Sequence, residues 1–202
     1  MKYIFVAGAP GSKWSSVVKN IYHSPDIDRS DYAEFRTYRS TNQEPMHTGA
    51  YWDPGMEFDT PEDLNTLTPQ QAKQLWNAPF SGTGIRIVKS HIFCLRKNID
   101  YLRTHWPDSP IVLVHRPDDA CVGWWVRAGG FSISYPDYAP YYKNLDTVCQ
   151  RISEQNTGLL SAWYSYPGVE PRTNIELADA VGIAWPNTVQ NYAHNDIKVK
   201  VI

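Results

Sequence analysis

The chain has 202 residues, enough for one domain with a sizeable hydrophobic core. Its 19 basic and 21 acidic residues give a net charge of −2, which argues against a general nucleic-acid binder because such proteins carry a basic excess. Three cysteines without a CxxC pair support neither a disulfide framework nor a zinc site. Since no apolar run approaches membrane length and no secretory signal pattern opens the chain, we expect a cytoplasmic protein that does not bind membranes.

The first predicted elements form a strand–loop–helix unit. Residues 2–7 are almost wholly apolar and predict a short buried strand. A loop rich in glycine and proline follows at residues 8–13, and apolar residues at helical spacing predict a helix over Trp14–Tyr22. This order is the context of a phosphate-binding loop, because the N-terminus of a helix presents free N–H groups to an anion.

Residues 23–84 give few regular signals and contain six prolines. One helix is predicted over Pro69–Asn77, with Thr68 as its N-cap and proline in the first turn. The rest is predicted to form long loops. Such loops are either binding loops on the face of an enzyme or a solvated insertion, and the sequence leaves both alternatives open.

Apolar strands and helices alternate in the second half of the chain. Residues 85–89 and 110–114 predict strands, and residues 197–202 alternate like an edge strand. Helices are predicted over residues 93–106, Asp118–Arg127, residues 141–164 and Asn174–Val181, the last with Asn174 as its cap. This alternation predicts one α/β domain over residues 1–202, with three layers in which helices cover both faces of a central parallel sheet.

The loop at residues 8–16 carries the first candidate chemistry. Its glycines and Ser12 allow backbone amides to turn toward an anion, and Lys13 adds a mobile positive charge. The loop looks like the start of the phosphate loop of nucleoside monophosphate kinases, but the Walker pattern has glycine before its lysine and serine or threonine after it. Ser12 and Trp14 take those positions here, and the strand at 110–114 ends in His115 and Arg116 rather than in a metal-binding aspartate. This combination favours an anion over Mg²⁺.

Lys89 ends the strand predicted at residues 85–89, and Ser90 and His91 follow it. Two residues apart at a strand end, Lys89 and His91 point to the same side. A phosphate-binding loop together with a base beside a cation predicts transfer of a charged group from a nucleotide to a hydroxyl.

Three segments together resemble the sulfotransferases that use 3′-phosphoadenylyl sulfate (PAPS). They are the loop at residues 10–16, the Lys-Ser-His sequence at residues 89–91, and residues 106–119, where Trp-Pro-Asp precedes an apolar strand and His-Arg-Pro-Asp-Asp. The resemblance leaves out residues 23–84. It implies the P-loop nucleoside-triphosphate-hydrolase-like topology of sulfotransferases, with residues 23–84 as an irregular insertion on the acceptor side.

The resemblance also implies an activity and a set of site residues. A sulfuryl group would pass from PAPS to a hydroxyl or amine of a small-molecule or carbohydrate acceptor, with 3′-phosphoadenosine 5′-phosphate (PAP) as product and no metal. His91 would be the general base, and Lys13 with the loop amides would stabilise charge on the bridging and phosphate oxygens. Lys89 would add positive charge at the transferred group. The residues implied in PAPS binding are Pro10, Gly11, Ser12, Lys13, Trp14, Ser15, Ser16, His115, Arg116 and Arg127.

The chain departs from the family pattern at three positions. Gly11 replaces the lysine that usually follows the loop proline, and Lys13 comes two residues later. His115 falls on the usual arginine with Arg116 beside it, and Gly123 falls on the serine expected to hold the 3′-phosphate. Two alternatives therefore stay open, a small-molecule kinase with a degenerate phosphate loop and a nucleotide-binding protein without catalysis.

Overall fold

A mixed four-stranded sheet forms the centre of the protein. The computed structural model describes residues 2–36, 48–133, 139–185 and 196–202. Its strands are β1 (Tyr3–Gly8), β2 (Trp52–Asp53), β3 (Phe58–Asp59), β4 (Arg86–Ser90), β5 (Ile111–His115) and β6 (Lys198–Val201). The central sheet has the order β4-β1-β5-β6, while β2 and β3 form a separate parallel pair.

The α-helices of the described residues are α1 (Trp14–Tyr22), α2 (Pro69–Asn77), α3 (Arg96–His105), α4 (Asp118–Arg127), α5 (Ala139–Tyr142), α6 (Leu145–Ser165) and α7 (Asn174–Val181). Short 3₁₀ turns lie at Glu34–Arg36, Leu64–Thr66, His91–Cys94 and Gly130–Ser132. None of the helices in these ranges is both long enough and apolar enough to cross a bilayer.

The strand directions confirm the α/β class and modify the predicted sheet. β1 runs parallel to both of its neighbours, with Phe5 opposite Val88 on one side and Ile111 on the other. β6 pairs antiparallel with β5, with Val201 opposite Val112. The parallel arrangement is therefore confirmed for three strands, and the edge strand departs from it. An antiparallel edge strand on an otherwise parallel sheet is common in α/β proteins.

Both faces of the sheet are covered, as the continuous apolar strands predict. Tyr3 and Phe5 of β1 pack toward one hydrophobic cluster, which includes residues of α2, α3 and α6. Ile4 and Val6 pack toward the other, which includes residues of α1 and α7. Alternate side chains of a strand point to opposite faces, so a strand covered on both faces is apolar throughout.

The predicted helices over Trp14–Tyr22, Pro69–Asn77 and Asp118–Arg127 are confirmed at both ends. In α2, the Thr68 hydroxyl accepts a hydrogen bond from the backbone N–H of Gln71 at 3.3 Å. The Gln71 side chain in turn accepts from the backbone N–H of Thr68 at 2.9 Å. This reciprocal capping satisfies two N–H groups that the helix itself leaves unbonded.

Two other predicted helices differ in their boundaries, and α7 has the predicted bounds Asn174–Val181 but a different cap. The helix predicted over residues 93–106 begins only at Arg96, because His91–Cys94 form a 3₁₀ turn. The helix predicted over residues 141–164 is divided into α5 and α6. The cap of α7 is Thr173 rather than Asn174, since the Thr173 hydroxyl accepts from the backbone N–H of Glu176 at 3.2 Å.

Several described residues of the segment 23–84 lie in the core. Trp52, Leu64 and Trp76 are fully buried in the cluster that contains Phe5. These residues are therefore not a solvated insertion, and residues 37–47 lie outside the described ranges.

Candidate functional site

The carboxyl ends of β1, β4 and β5 lie side by side. Ala7 is in register with Ser90 of β4, and Gly8 is in register with Val114 of β5. In open α/β sheets, ligands bind at the carboxyl ends of the parallel strands. The fold thus brings the predicted loop, the Lys-Ser-His segment and the His-Arg segment to one edge.

Hydrogen bonds join the two later segments to the loop. The Nδ1 atom of His91 lies 2.5 Å from the carbonyl oxygen of Gly8. Arg116 donates from Nη1 to the carbonyl oxygen of Gly11 at 3.1 Å. Because a carbonyl only accepts, the His91 Nδ1 carries the proton and Nε2 keeps its lone pair.

The loop has a backbone conformation that favours glycine. Gly11 has a φ of 79°, and a Cβ there would lie 2.0 Å from the carbonyl oxygen of Cys121 in α4. Lys13 has a φ of 61° and stands at the N-cap position of α1 without capping it. A lysine side chain has no acceptor, so it caps none of the first N–H groups of α1. The N–H of Ser16 donates to the backbone carbonyl of Lys13 at 2.9 Å.

Three cations surround this loop. The ammonium of Lys13 lies 4.3 Å from the centre of the Trp124 ring, and the guanidinium carbon of Arg127 lies 5.7 Å from it. Arg116 is buried and donates from Nε to Asp196 at 2.6 Å. Burial and the charge of Arg116 lower the pKa of Lys13, partly offset by Asp196. Lys13, Arg116 and Arg127 form the cation cluster of this edge.

The other predicted donor-binding residues have different surroundings. Pro10 is buried, while Ser15 and Ser16 are half-buried in the first turn of α1. Ser12 is fully buried, and its hydroxyl has no hydrogen-bond partner among the described residues. His115 is half-buried opposite Lys198 of β6, and burial followed by the Lys198 charge lowers its pKa.

His91 is packed between aromatic and acidic neighbours. Its ring stacks on Trp14 with 4.2 Å between ring centres, so the Trp14 indole contacts the candidate base. The Nε2 atom lies 4.0 Å from Oδ2 of Asp53. Burial lowers the pKa of His91 to about 4 and raises the pKa of Asp53 to about 8. Near pH 7 a neutral imidazole therefore faces a neutral carboxyl.

Lys89 of β4 is close enough for its charge to lower the pKa of His91, but its hydrogen bond goes to another loop. Its side chain is 1% exposed, and its ammonium donates to the carbonyl of Thr48. Burial lowers its pKa to about 8, partly offset by the charge of Asp31. Asp31 also accepts from the backbone N–H of Ala50 at 2.8 Å. In this structure Lys89 thus connects β4 to residues 48–50.

Two acidic residues of this site, Asp53 and Asp196, were not predicted from the sequence. The only local signal was the sequence Asp53-Pro54-Gly55, which is typical of a tight turn. A turn signal does not tell which distant residue the aspartate will meet. Asp196 had no signal, because it contacts Arg116 across 80 positions of the chain.

The fold and site define an α/β protein whose cationic residues meet at the carboxyl edge of a mixed sheet. Comparisons with family models, curated proteins and solved structures give no match for this chain. Across the ranges that the structure describes, no group of three or more His, Cys, Asp or Glu side chains is arranged to hold a metal ion.

The left-handed conformation of Lys13 leads to a testable prediction. We expect Lys13→Gly to raise the free energy of unfolding by about 0.5–1 kcal/mol, because relief of the left-handed strain exceeds the entropic cost of glycine. The same change should weaken PAP binding, since a cation is lost. Lys143→Gly is a matched control, because Lys143 has a φ of 62° outside this site. Urea unfolding and calorimetry should show the same stabilisation there with unchanged binding. Unchanged PAP affinity in Lys13→Gly would contradict a role for its ammonium.

Proposed function

We propose that this protein is a sulfotransferase that moves the sulfuryl group of PAPS to a hydroxyl or amine of an acceptor. The observation that carries the proposal is the meeting of three distant segments at one sheet edge. His91 and Arg116, which follow two different strands, each hydrogen-bond a carbonyl of the same loop, that of Gly8 or Gly11.

PAPS has two anionic ends, the 5′-phosphosulfate and the 3′-phosphate. The sheet edge offers a separate group of N–H groups and cations for each end. In this proposal, the amides at the start of α1 and the ammonium of Lys13 bind the 5′-phosphosulfate. Arg116 and Arg127 bind the 3′-phosphate, since guanidinium groups match the geometry of phosphate. In the structure the carboxylate of Asp196 neutralises Arg116. In this proposal the 3′-phosphate displaces that carboxylate when PAPS binds.

His91 performs the proton transfer in this mechanism. The acceptor's lone pair forms the new bond to sulfur, and the bond from sulfur to the bridging oxygen breaks with its electron pair leaving on PAP. The released proton moves to Nε2 of His91, which is free because Nδ1 donates to Gly8. Lys13 stabilises the charge that develops on the leaving phosphate.

Calorimetry with PAP tests the proposal, with ADP and ATP as controls and chelator present. We expect PAP to bind far more tightly than ADP, because the 3′-phosphate supplies contacts to the cation cluster. Stronger ATP binding, or binding only with Mg²⁺, would point to a kinase instead. Absence of PAP binding would overturn the proposal. PAP binding without transfer to any screened alcohol, phenol, sugar or amine would favour a nucleotide-binding protein.

Gly123 offers a gain-of-affinity test of donor identity. It lies in α4, where a Cβ would have no neighbour within 4 Å, and its carbonyl accepts from Nε of Arg127 at 3.2 Å. Gly123→Ser adds the hydroxyl that the resemblance places on the 3′-phosphate. We expect PAP to bind about 2–10-fold more tightly, the range of one net hydrogen bond, with ADP affinity unchanged. Gly123→Ala is the matched control, and equal PAP affinities for the two variants would contradict a 3′-phosphate at this helix.

A further inference from the structure

Asp53 begins a tight turn that places its carboxyl group inside the protein. The backbone N–H of Met56 donates to the carbonyl of Asp53 at 3.1 Å, and Gly55 has a φ of 75°. Proline followed by a residue with positive φ is typical of a type II turn. The Asp53 residue is 4% exposed, so its carboxyl group must find its partners within the protein.

One carboxyl oxygen of Asp53 holds the turn that carries His91. Oδ1 accepts from the Ser90 hydroxyl at 2.9 Å, from the His91 backbone N–H at 3.1 Å and from the Ile92 backbone N–H at 3.3 Å. These N–H groups begin the 3₁₀ turn His91–Cys94, where intrahelical partners are lacking. The position of the His91 backbone therefore depends on Asp53.

The other oxygen of Asp53 faces the reactive side of the imidazole. Oδ2 is buried, has no hydrogen-bond partner among the described residues, and lies 4.0 Å from Nε2 of His91. An orphaned buried oxygen costs free energy. The hydroxyl oxygen or amine nitrogen of a sulfuryl acceptor can therefore lie at a hydrogen-bond distance of about 2.8 Å from both Nε2 and Oδ2.

We propose that Asp53 is the positioning residue of His91: Oδ1 holds the turn that carries the imidazole, and Oδ2, once the carboxyl group is ionised, balances the charge that Nε2 gains when it takes the acceptor's proton. This inference rests on the proposed function in one respect, that the proton comes from the hydroxyl or amine of a sulfuryl acceptor. The contacts between Asp53 and the turn of His91 stand apart from it.

The contact between Asp53 and His91 makes the basicity of the His91 imidazole depend on pH. Burial raises the pKa of Asp53 to about 8, so its carboxyl group ionises above that pH. A negative charge beside an imidazole favours its protonated form, so His91 becomes a stronger base as Asp53 ionises. Within the described ranges, the other ionisable groups next to the pair are Lys89 of β4, Cys94 of the 3₁₀ turn, Tyr51 and Tyr141.

Long-range ¹⁵N NMR of the full chain with labelled histidine tests this pairing directly. His91→Asn identifies the His91 signals. We expect the ring to keep its proton on Nδ1, and the Nε2 signal to titrate with a midpoint near pH 8, set by the pKa of about 8 for Asp53. Asp53→Asn should abolish this step. Ser90→Ala keeps the carboxyl group but removes one bond that lowers the pKa of Asp53, so it should move the midpoint up by about 0.5–1 pH unit.

A step near pH 8 that survives in Asp53→Asn, or a midpoint that does not move in Ser90→Ala, would overturn the inference. The Ser90→Ala measurement keeps the test decisive if Asp53→Asn does not fold. PAP calorimetry on the same samples separates the two proposals. If PAP fails to bind the unmodified chain while the step behaves as expected, the sulfotransferase proposal fails and the pairing stands. If PAP binds and the step survives in Asp53→Asn, only the inference about Asp53 fails.

Discussion

His91→Asn is expected to reduce sulfuryl transfer by about 10²–10⁴-fold, the range for loss of a positioned general base. The amide of asparagine can still donate to Gly8 as Nδ1 of His91 does, but it has no basic nitrogen to take the acceptor's proton. PAP affinity should stay within about twofold, since no cation of the cluster is touched.

Release of PAP from PAPS measures this effect, with water and the alcohols, phenols and amines of an acceptor screen as nucleophiles. His105→Asn is a matched control, because His105 is an exposed histidine of α3. The unmodified chain should lose its base only as the pH approaches 4, because burial lowers the pKa of His91 to about 4 and the imidazole is unprotonated above it. Near-normal transfer by His91→Asn would show that another group takes the proton.

Gly11→Ala is expected to lower the free energy of unfolding by about 2–5 kcal/mol, the sum of left-handed strain and overpacking. The added Cβ would lie 2.0 Å from the carbonyl oxygen of Cys121, so either the loop or α4 must move. PAP binding should be lost as well. The carbonyl of Gly11 accepts from Arg116, and a displaced loop removes the link between the α1 N-terminus and the cation cluster.

Comparison with Gly55→Ala separates the cost of the steric clash at Gly11 from the cost of its left-handed backbone conformation. Gly55 has a φ of 75°, close to the 79° of Gly11, but a Cβ there would meet nothing within 4 Å. Its cost should therefore be the left-handed strain alone, about 1–2 kcal/mol. Urea unfolding of the two variants measures both costs. Equal costs would mean that the approach of the loop to α4 contributes nothing.

Local rules explain which elements could be predicted before the fold was known. The apolar run before Gly8, the glycine-rich loop and the helix Trp14–Tyr22 are encoded within about twenty residues, so their order was readable. Thr68 and the proline after it defined the start of α2 for the same reason. Helix starts that depend on 3₁₀ turns, such as that of α3 at Arg96, were placed wrongly because the competing turn is held by the distant Asp53.

Local patterns in the chain were enough to predict the α/β class, parallel strands with helices between them, and the three segments that lie together at the candidate site. The direction of β6, the pairing of Arg116 with Asp196, the bond from Lys89 to Thr48 and the contact of Asp53 with His91 depend on long-range contacts instead. Periodicity and capping are local, and they report on neighbours within a few residues. A buried polar or charged group instead finds its partner on whichever distant segment the fold packs against it. For His91 that chain lies 38 positions away, and for Arg116 the loop carbonyl lies 105 positions away.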